Sequence, residues 1–153
     1  MSVISLENIQ PDDKIISGKI KLKDHQLSFI ETIDECLEEA RECSAWRPVA
    51  IYADDVLVGF AMYGFVGDPK EAWIDRIMID SAQQGKGLGQ KAMMHLIDVV
   101  TKTYDVGEIY LSFVEGNDVA KELYEKLGFK FTGKRDPQGE LIYRYEVGQP
   151  YSQ

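Results

Sequence analysis

The chain has 153 residues, with 17 Lys or Arg against 26 Asp or Glu, so its formal net charge is −9. Its 44% hydrophobic and 28% charged residues are typical of a packed globular protein and exclude a disordered chain, and the length suits one domain. The acidic balance argues against nucleic-acid binding, because phosphate contacts need a basic surface.

The first half of the chain is predicted to contain helices followed by an antiparallel hairpin. Apolar residues recur at helical spacing over 27–43, and Asp54-Asp55 separates two apolar runs, which is typical of a turn between paired strands. In chain order, we expect a weak strand over 2–6, a helix that begins at Pro11, a helix over 27–43 closed by Pro48, and strands over 49–52 and 56–65.

The second half is predicted to alternate strands with helices. In chain order, we expect a strand over 73–79, a long amphipathic helix over 88–100, a strand over 109–113, a helix capped by Asn117 and ended by Gly128, and strands over 129–132 and 141–147. This order predicts an α/β fold with a mixed sheet flanked by helices, in one domain over 1–148 with a tail over 149–153.

The negative charge is concentrated in one third of the chain. Residues 31–80 contain twelve acidic and four basic residues, a net charge of −8, while the rest of the chain is close to neutral. One interpretation is a solvated acidic helix face, and the other is a field that attracts a cationic partner.

Sequence features of secreted, membrane and metal-binding proteins are missing. Cys36 and Cys43 lie two turns apart on a predicted helix, too far for a disulfide between them. We find no apolar leader and no apolar run of membrane-spanning length, so we expect a cytoplasmic protein with no membrane partner. His25 and His95 have no partners at metal-ligand spacing, and we expect no metal.

A glycine-rich turn is the most informative segment. Between a predicted strand and a predicted helix, the sequence Gln84-Gly85-Lys86-Gly87-Leu88-Gly89 alternates glycine with other residues. Such glycines allow close approach of the backbone, and free amides at a helix N-terminus favour a pyrophosphate. The spacing fits neither the dinucleotide fingerprint nor the P-loop, and a tight turn without a ligand remains an alternative.

Two motifs resemble the GCN5-related N-acetyltransferase (GNAT) family. The turn matches the family's Q/R-x-x-G-x-G/A motif, and the segment 117–129 matches its N-x-x-A-x-x-L-Y-x-K-x-G-F segment, in the family's order and separation. Less diagnostic stretches over 26–31, 36–40, 58–64 and 73–76 resemble the bacterial spermine/spermidine (diamine) N-acetyltransferases within that family. The resemblance implies a GNAT-like, mostly antiparallel mixed sheet.

The resemblance also implies a site for acetyl-CoA. The turn would bind the pyrophosphate, the preceding strand would bind the pantetheine arm through its backbone, and Asn117 would contact the cofactor, although Asn117 also suits a plain helix cap. The implied cofactor residues are Ile77, Met78, Ile79, Gln84, Gly85, Lys86, Gly87, Leu88, Gly89 and Asn117.

Two residues are candidates for proton transfer. The resemblance makes Tyr124 the general acid that protonates the departing thiolate, although its place on an apolar helix stripe also suits an ordinary core tyrosine. Asp75 is the candidate base for the substrate ammonium, because a carboxylate in mid-strand is costly unless it faces a wet site. An ion pair with Arg76 is the alternative, which the alternation of side chains along a strand disfavours.

The acceptor implied by the resemblance is a small cationic amine, with a polyamine favoured. Several carboxylates and an aromatic face suit a chain of ammonium groups, and the candidates are Glu31, Asp34, Glu35, Tyr63 and Trp73. We expect direct attack of the amine on the thioester, since no nucleophile stands beside a base. Alternatives are another amine (an aminoglycoside, a small metabolite or a protein amine) and a non-catalytic acyl-CoA-binding module. A homodimer is possible for this family.

Overall fold

A mostly antiparallel sheet of seven strands organises the part of the chain that the computed structural model describes, residues 3–12, 19–20 and 33–148. The strands are β1 (Ile4–Asn8), β2 (Trp46–Ala53), β3 (Val56–Gly67), β4 (Lys70–Ile79), β5 (Glu108–Phe113), β6 (Lys130–Arg135) and β7 (Leu141–Glu146), in the order β1-β2-β3-β4-β5-β7-β6. The helices are α1 (Ile33–Glu42), α2 (Leu88–Tyr104) and α3 (Asp118–Leu127), with a short 3₁₀ turn at Ser81–Gln83.

Helices cover both faces of the sheet and bury two apolar layers. The larger layer lies against α2 and contains the side chains of Leu96, Val100, Ile51 and Leu111. The smaller layer lies against α1 and contains Cys36, Leu37, Phe60 and Met78. The α/β class, the mixed sheet and the flanking helices of the sequence prediction are therefore confirmed.

The helix ends follow the predicted capping residues. Asn117 Oδ1 accepts a hydrogen bond from the Ala120 amide at 3.3 Å, and Gly128 ends α3 in the left-handed conformation with φ 109°. The predictions for residues 13–18, 21–32 and 149–153 lie outside the described residues. No described helix is long and apolar enough to span a membrane.

Several strand and helix ends differ from the sequence prediction by a few residues, and the role of Pro48 differs in kind. Pro48, which we expected to close a helical region, lies inside β2 opposite Met62. The Pro48 carbonyl accepts the Ile9 amide at 3.0 Å, just past the last β1–β2 pair at Asn8 and Val49. The Pro48 nitrogen carries no hydrogen and is directed to the same side as its carbonyl, toward the end of β1. The hydrogen bonds between β2 and β3 therefore lose no donor.

A gap opens in the sheet between β4 and β5. These two strands are parallel and pair through Ala72 with Ile109 and through Trp73 with Tyr110. Among the described residues no further pair joins β4 to β5, although both strands continue, to Ile79 and Phe113. The C-terminal ends of both strands thereby border an opening in the middle of the sheet.

Candidate active site

The gap forms the floor of a groove with a cavity volume of about 580 Å³. The end of β4, the glycine-rich turn, the first turn of α2, the end of β5 and the first turns of α3 all line it. Predicted site residues in the lining are Asp75, Ile77, Met78, Ile79, Gln84, Gly85, Gly87, Leu88, Gly89, Asn117 and Tyr124. The lining also includes Arg76, Ser112 and Glu140, which the sequence analysis did not select.

The glycine-rich turn presents open backbone to the groove. Gly85 and Gly87 have φ of 81° and 75°, in the left-handed region that L side chains rarely adopt. A Cβ built at either position would meet no atom within 4 Å. Gly87 is also the N-cap of α2, so the free amides of the first helical turn lie at the same place. The turn therefore has the space and the donors that an anion needs.

The backbone at the end of β4 is directed into the gap. The Asp80 amide donates to the Val58 carbonyl of β3 at 2.7 Å, so the preceding residue, Ile79, directs its backbone groups to the other side. There the Ile79 carbonyl accepts a hydrogen bond from Gln84 Nε2 at 2.9 Å. This bond joins the turn to the strand.

Two predicted cofactor residues already have partners within the protein. The side chain of Asn117 caps α3, which confirms the capping interpretation, and Asn117 also lines the groove, where its contact with a cofactor stays a prediction. Lys86 is exposed beside the turn, and its Nζ donates to Gln83 Oε1 at 3.0 Å. A phosphate at the turn would compete with that amide oxygen for the ammonium group.

Tyr124 is half-buried on α3, on the side that faces the groove. Its ring packs against Phe113 and Phe129, with centroids 5.6 Å and 5.9 Å away. Burial raises the pKa of the phenol to about 12, and the nearby Arg76 guanidinium opposes part of that rise. The phenol is therefore a protonated group in a largely dry setting, beside a positive charge.

Asp75 lies at a β-bulge. Tyr63 pairs with Ile74 and Met62 pairs with Arg76, so Asp75 is the extra residue of β4. The regular alternation of side chains is interrupted here, and Arg76 Nη1 lies 2.7 Å from the Asp75 carbonyl and 4.0 Å from Asp75 Oδ1. The argument from alternation against an Asp75–Arg76 ion pair was therefore wrong, because it assumed a regular strand.

Glu140 completes a charged cluster that crosses the gap. Its Oε2 is 3.7 Å from Arg76 Nη2, and its Oε1 accepts a hydrogen bond from Ser112 Oγ on β5 at 3.0 Å. The side chains of Arg76, Asp75 and Glu140 are 11%, 18% and 16% exposed. We call Asp75, Arg76, Ser112 and Glu140 the gap cluster. The sequence analysis missed Glu140. The signal that could have identified it was an acidic residue placed directly after a predicted turn and before a predicted strand.

The residues predicted for the acceptor site are dispersed. Asp34 and Glu35 are exposed on α1, and Glu31 lies outside the described residues. Trp73 stacks on Tyr110 with centroids 5.4 Å apart, where β4 and β5 are still paired. Tyr63 is buried against the α2 side of the sheet. Among the described residues, the structure does not bring these side chains together in the groove.

Residues 6–129 match the acetyltransferase (GNAT) family. The chain belongs to this family. Over 150 residues it is 39% identical to the spermine/spermidine N(1)-acetyltransferase of Bacillus subtilis (strain 168), a match that covers 94% of this chain and 99% of that protein. The resemblance identified in the sequence is thereby confirmed.

Solved structures of acetyltransferases share the fold. The aminoglycoside acetyltransferase AAC(6')-Ib in complex with coenzyme A and kanamycin superposes with a TM-score of 0.78, at 20% identity over 95% of each chain. The PaiA N-acetyltransferase from Thermoplasma acidophilum in complex with coenzyme A has a TM-score of 0.63, at 16% identity over 95% of this chain and 99% of that one. At these identities the likeness concerns the fold.

The groove fits the acetyl-CoA on which GNAT enzymes depend. The open left-handed glycines and the start of α2 suit a pyrophosphate, and the stretch of β4 that borders the gap to β5 directs backbone groups toward an extended amide-bearing arm. The protein is an acetyl-CoA-dependent N-acetyltransferase, as the sequence analysis predicted. In the described part of the chain, no three His, Cys, Asp or Glu side chains are grouped in a way that would hold a metal ion.

Proposed function

We propose that this GNAT enzyme transfers an acetyl group to a primary amine of a polyamine such as spermine, spermidine or a diamine. The observation that carries the proposal is that Asp75 and Tyr124 line the same groove, at the gap between β4 and β5. The 39% identity to a spermine/spermidine acetyltransferase over nearly the whole of both chains supports the same acceptor class.

The charges along the groove favour a cationic acceptor. Asp75, Glu140 and Asp118 supply carboxylates to the lining, and Arg76 supplies a guanidinium. Exposed acidic residues of α1, among them Asp34 and Glu35, add to the negative field of the chain, whose net charge is −9. A substrate with several ammonium groups gains from both the local and the long-range attraction.

Asp75 is the proposed base. A primary ammonium has to lose a proton before its nitrogen can attack, and the unperturbed pKa of such a group is about 10. The Asp75 carboxylate lies in the groove and accepts that proton, either directly or through a water molecule.

Tyr124 is the proposed acid. Acetyl-CoA supplies the acetyl group as a thioester, so the amine nitrogen forms a bond to the carbonyl carbon while the bond from that carbon to sulfur breaks. The Tyr124 hydroxyl gives its proton to the sulfur, while the nitrogen releases one proton to solvent as the neutral amide forms, and the phenolate then takes up one proton from solvent. Burial raises the pKa of this phenol to about 12, so the proton that the role requires is present at neutral pH.

The cofactor would be bound by backbone more than by side chains. Amides of the turn from Gln84 to Gly89 bind the pyrophosphate, and backbone groups of Ile77 and Ile79, which are directed to the gap, bind the pantetheine arm. The backbone of Met78 is directed to β3 instead, so its predicted place among the cofactor residues is not kept. The Gln84 side chain, bonded to the Ile79 carbonyl, fixes the turn relative to the strand.

An acceptor panel tests the proposed function. Release of free thiol from acetyl-CoA is measured with spermine, spermidine, diamines, an aminoglycoside, a simple monoamine and a peptide, each at equal concentration. We expect the highest kcat/KM with a polyamine or diamine. A higher kcat/KM with the aminoglycoside or the peptide would reject the polyamine assignment. Acetyl-CoA binding by calorimetry with no turnover on any amine would indicate a binding module.

A further inference from the structure

We infer that Glu140 is a specificity-determining residue, which binds a second ammonium group of the acceptor while Asp75 serves the amine that reacts. The inference rests on the proposed function, because it needs an acceptor with at least two cationic groups. It assigns an anionic subsite to the gap cluster on the β5–β7 side of the groove.

The backbone around Glu140 is fixed before any substrate binds. Glu140 directly precedes β7, and β7 pairs with β5 through Leu141 and Phe113. The Asp136 side chain accepts the Glu140 amide at 2.9 Å, and the Asp136 amide donates to the Glu140 carbonyl at 2.9 Å. A carboxylate on such a closed turn is pre-organised, so little conformational entropy is lost when a ligand binds.

The side chain of Glu140 is directed to the groove by its partners. Ser112 Oγ donates to Oε1 at 3.0 Å, which is a normal hydrogen bond. Oε2 lies 3.7 Å from Arg76 Nη2, within reach of Coulomb attraction but beyond hydrogen-bond distance. One oxygen of Glu140 is thus fixed by a neutral hydroxyl, and the other is attracted by a guanidinium without a close contact.

The environment of the Glu140 carboxylate favours an additional cation. The Glu140 side chain is 16% exposed, and the guanidinium nitrogen Arg76 Nη2 stays 3.7 Å away, outside hydrogen-bond distance. Negative charge so poorly solvated is costly unless a cation compensates it. An ammonium group beside Glu140 would supply that compensation, and a neutral substituent at the same place would not.

The two carboxylates of the gap cluster can bind two different ammonium groups of one acceptor. Asp75 is on β4 and Glu140 precedes β7, and both carboxylates share the Arg76 guanidinium, with Nη1 4.0 Å from Asp75 Oδ1 and Nη2 3.7 Å from Glu140 Oε2. One ammonium group that contacted both carboxylates would have to compete with that guanidinium. Two ammonium groups on one flexible chain can each take one acid, which selects diamines and longer polyamines over monoamines.

Glu140→Gln tests the inference through selectivity. The ratio of kcat/KM for a diamine to kcat/KM for the monoamine of equal carbon number is measured for the wild type and the variant. We expect Glu140→Gln to reduce this ratio about tenfold, since a charged hydrogen bond is lost with the diamine alone. The KM of the diamine should rise, with kcat within about twofold. Glu146→Gln removes an equal charge from the exposed side of β7 and should leave the ratio unchanged.

Several outcomes would contradict the inferred role of Glu140 in selectivity. An equal loss with diamine and monoamine, or a fall in kcat with an unchanged selectivity ratio, would mean that Glu140 acts only by positioning Arg76. Ser112→Ala provides a second variant that retains the charge and loses the hydroxyl, and it should reduce the ratio about threefold. A wild-type enzyme that fails to acetylate polyamines would reject the proposed function itself. A wild type that prefers diamines, with both variants equally selective, would reject the role of Glu140 alone.

Discussion

The cofactor side and the acceptor side of the groove are built in different ways. On the proposed cofactor side, consecutive residues of one strand, one turn and one helix start present their backbone to the groove, as in Ile79, Gly85 and Gly87. On the acceptor side, single side chains arrive from separate strands, as Asp75, Ser112 and Glu140 do. A site built from the backbone of consecutive residues can be recognised in one short stretch of sequence. A site built from side chains of separate strands depends on the order of the strands in the sheet.

The largest expected effect belongs to Tyr124 on α3. Tyr124→Phe removes the proposed acid but retains the ring that packs on Phe113 and Phe129. We expect kcat to fall about 10³-fold, within the range for loss of a general acid. Acetyl-CoA affinity measured by calorimetry should remain within a factor of about two, since the packing is retained. Unchanged turnover would remove Tyr124 from the chemistry.

The pH profile sharpens the same assignment. Burial raises the pKa of Tyr124 to about 12, and a raised phenol pKa means that the neutral, proton-bearing form is favoured. The proposed acid therefore stays protonated up to about pH 10, where roughly one molecule in a hundred is ionised. We expect kcat of the wild type to show no decline between pH 8 and 10. A decline there that Tyr124→Phe abolishes would contradict the raised pKa.

Asp75→Asn should have the next largest effect, on the acceptor side. It removes the proposed base, and we expect kcat/KM for the amine to fall about 10²-fold at pH 7. The loss should shrink as the pH rises toward the amine's own pKa near 10, because free amine then becomes available without a base. A loss of the same size at pH 7 and pH 10 would assign Asp75 a structural role.

Gly87→Ala should affect the cofactor side alone. A side chain at φ 75° is strained by about 1–2 kcal/mol, and its Cβ would occupy space that is open beside the first amides of α2. We expect the KM for acetyl-CoA to rise about tenfold, with the KM for the amine unchanged. Equal rises in both values would mean that the two sides of the groove are not independent.

The exposed acids of α1 should have the smallest effect. Asp34→Asn and Glu35→Gln change charges on the solvent side of the helix, so we expect the KM for a polyamine to rise less than about twofold. Raising the ionic strength should increase that KM in the wild type and reduce the difference between wild type and variants. A larger effect that persists at high salt would indicate direct contact with the acceptor.

The sequence predicted correctly those features of the fold that depend on residues close together in the chain. The Asn117 cap, the Gly128 end of α3 and the apolar spacing of α2 each depend on neighbours within a few residues, and the structure agrees at each. The glycine turn belongs to the same class, because adjacent residues make both its conformation and its position at a helix start.

The positions of the side chains on the acceptor side of the groove could not be predicted from the sequence in the same way. Glu140 reaches the groove because β7 lies beside β5, a pairing that joins residues far apart in the chain. Asp75 and Arg76 contact each other because of a bulge, which no local pattern marked. Tyr63 was selected for its type and lies instead in the apolar layer under α2, since strand register decided which face it occupies.

Because Asp75 is the extra residue of a bulge, the register of the sheet does not depend on it. Met62 pairs with Arg76 and Ala61 pairs with Ile77, as they would if β4 had no residue between Ile74 and Arg76. Removing Asp75 altogether would leave Arg76, Ile77 and Met78 opposite their present partners and on their present faces. The candidate base is thus an insertion that the fold tolerates, and a chain that lost it would retain the architecture and be left without its proposed means of deprotonating an amine.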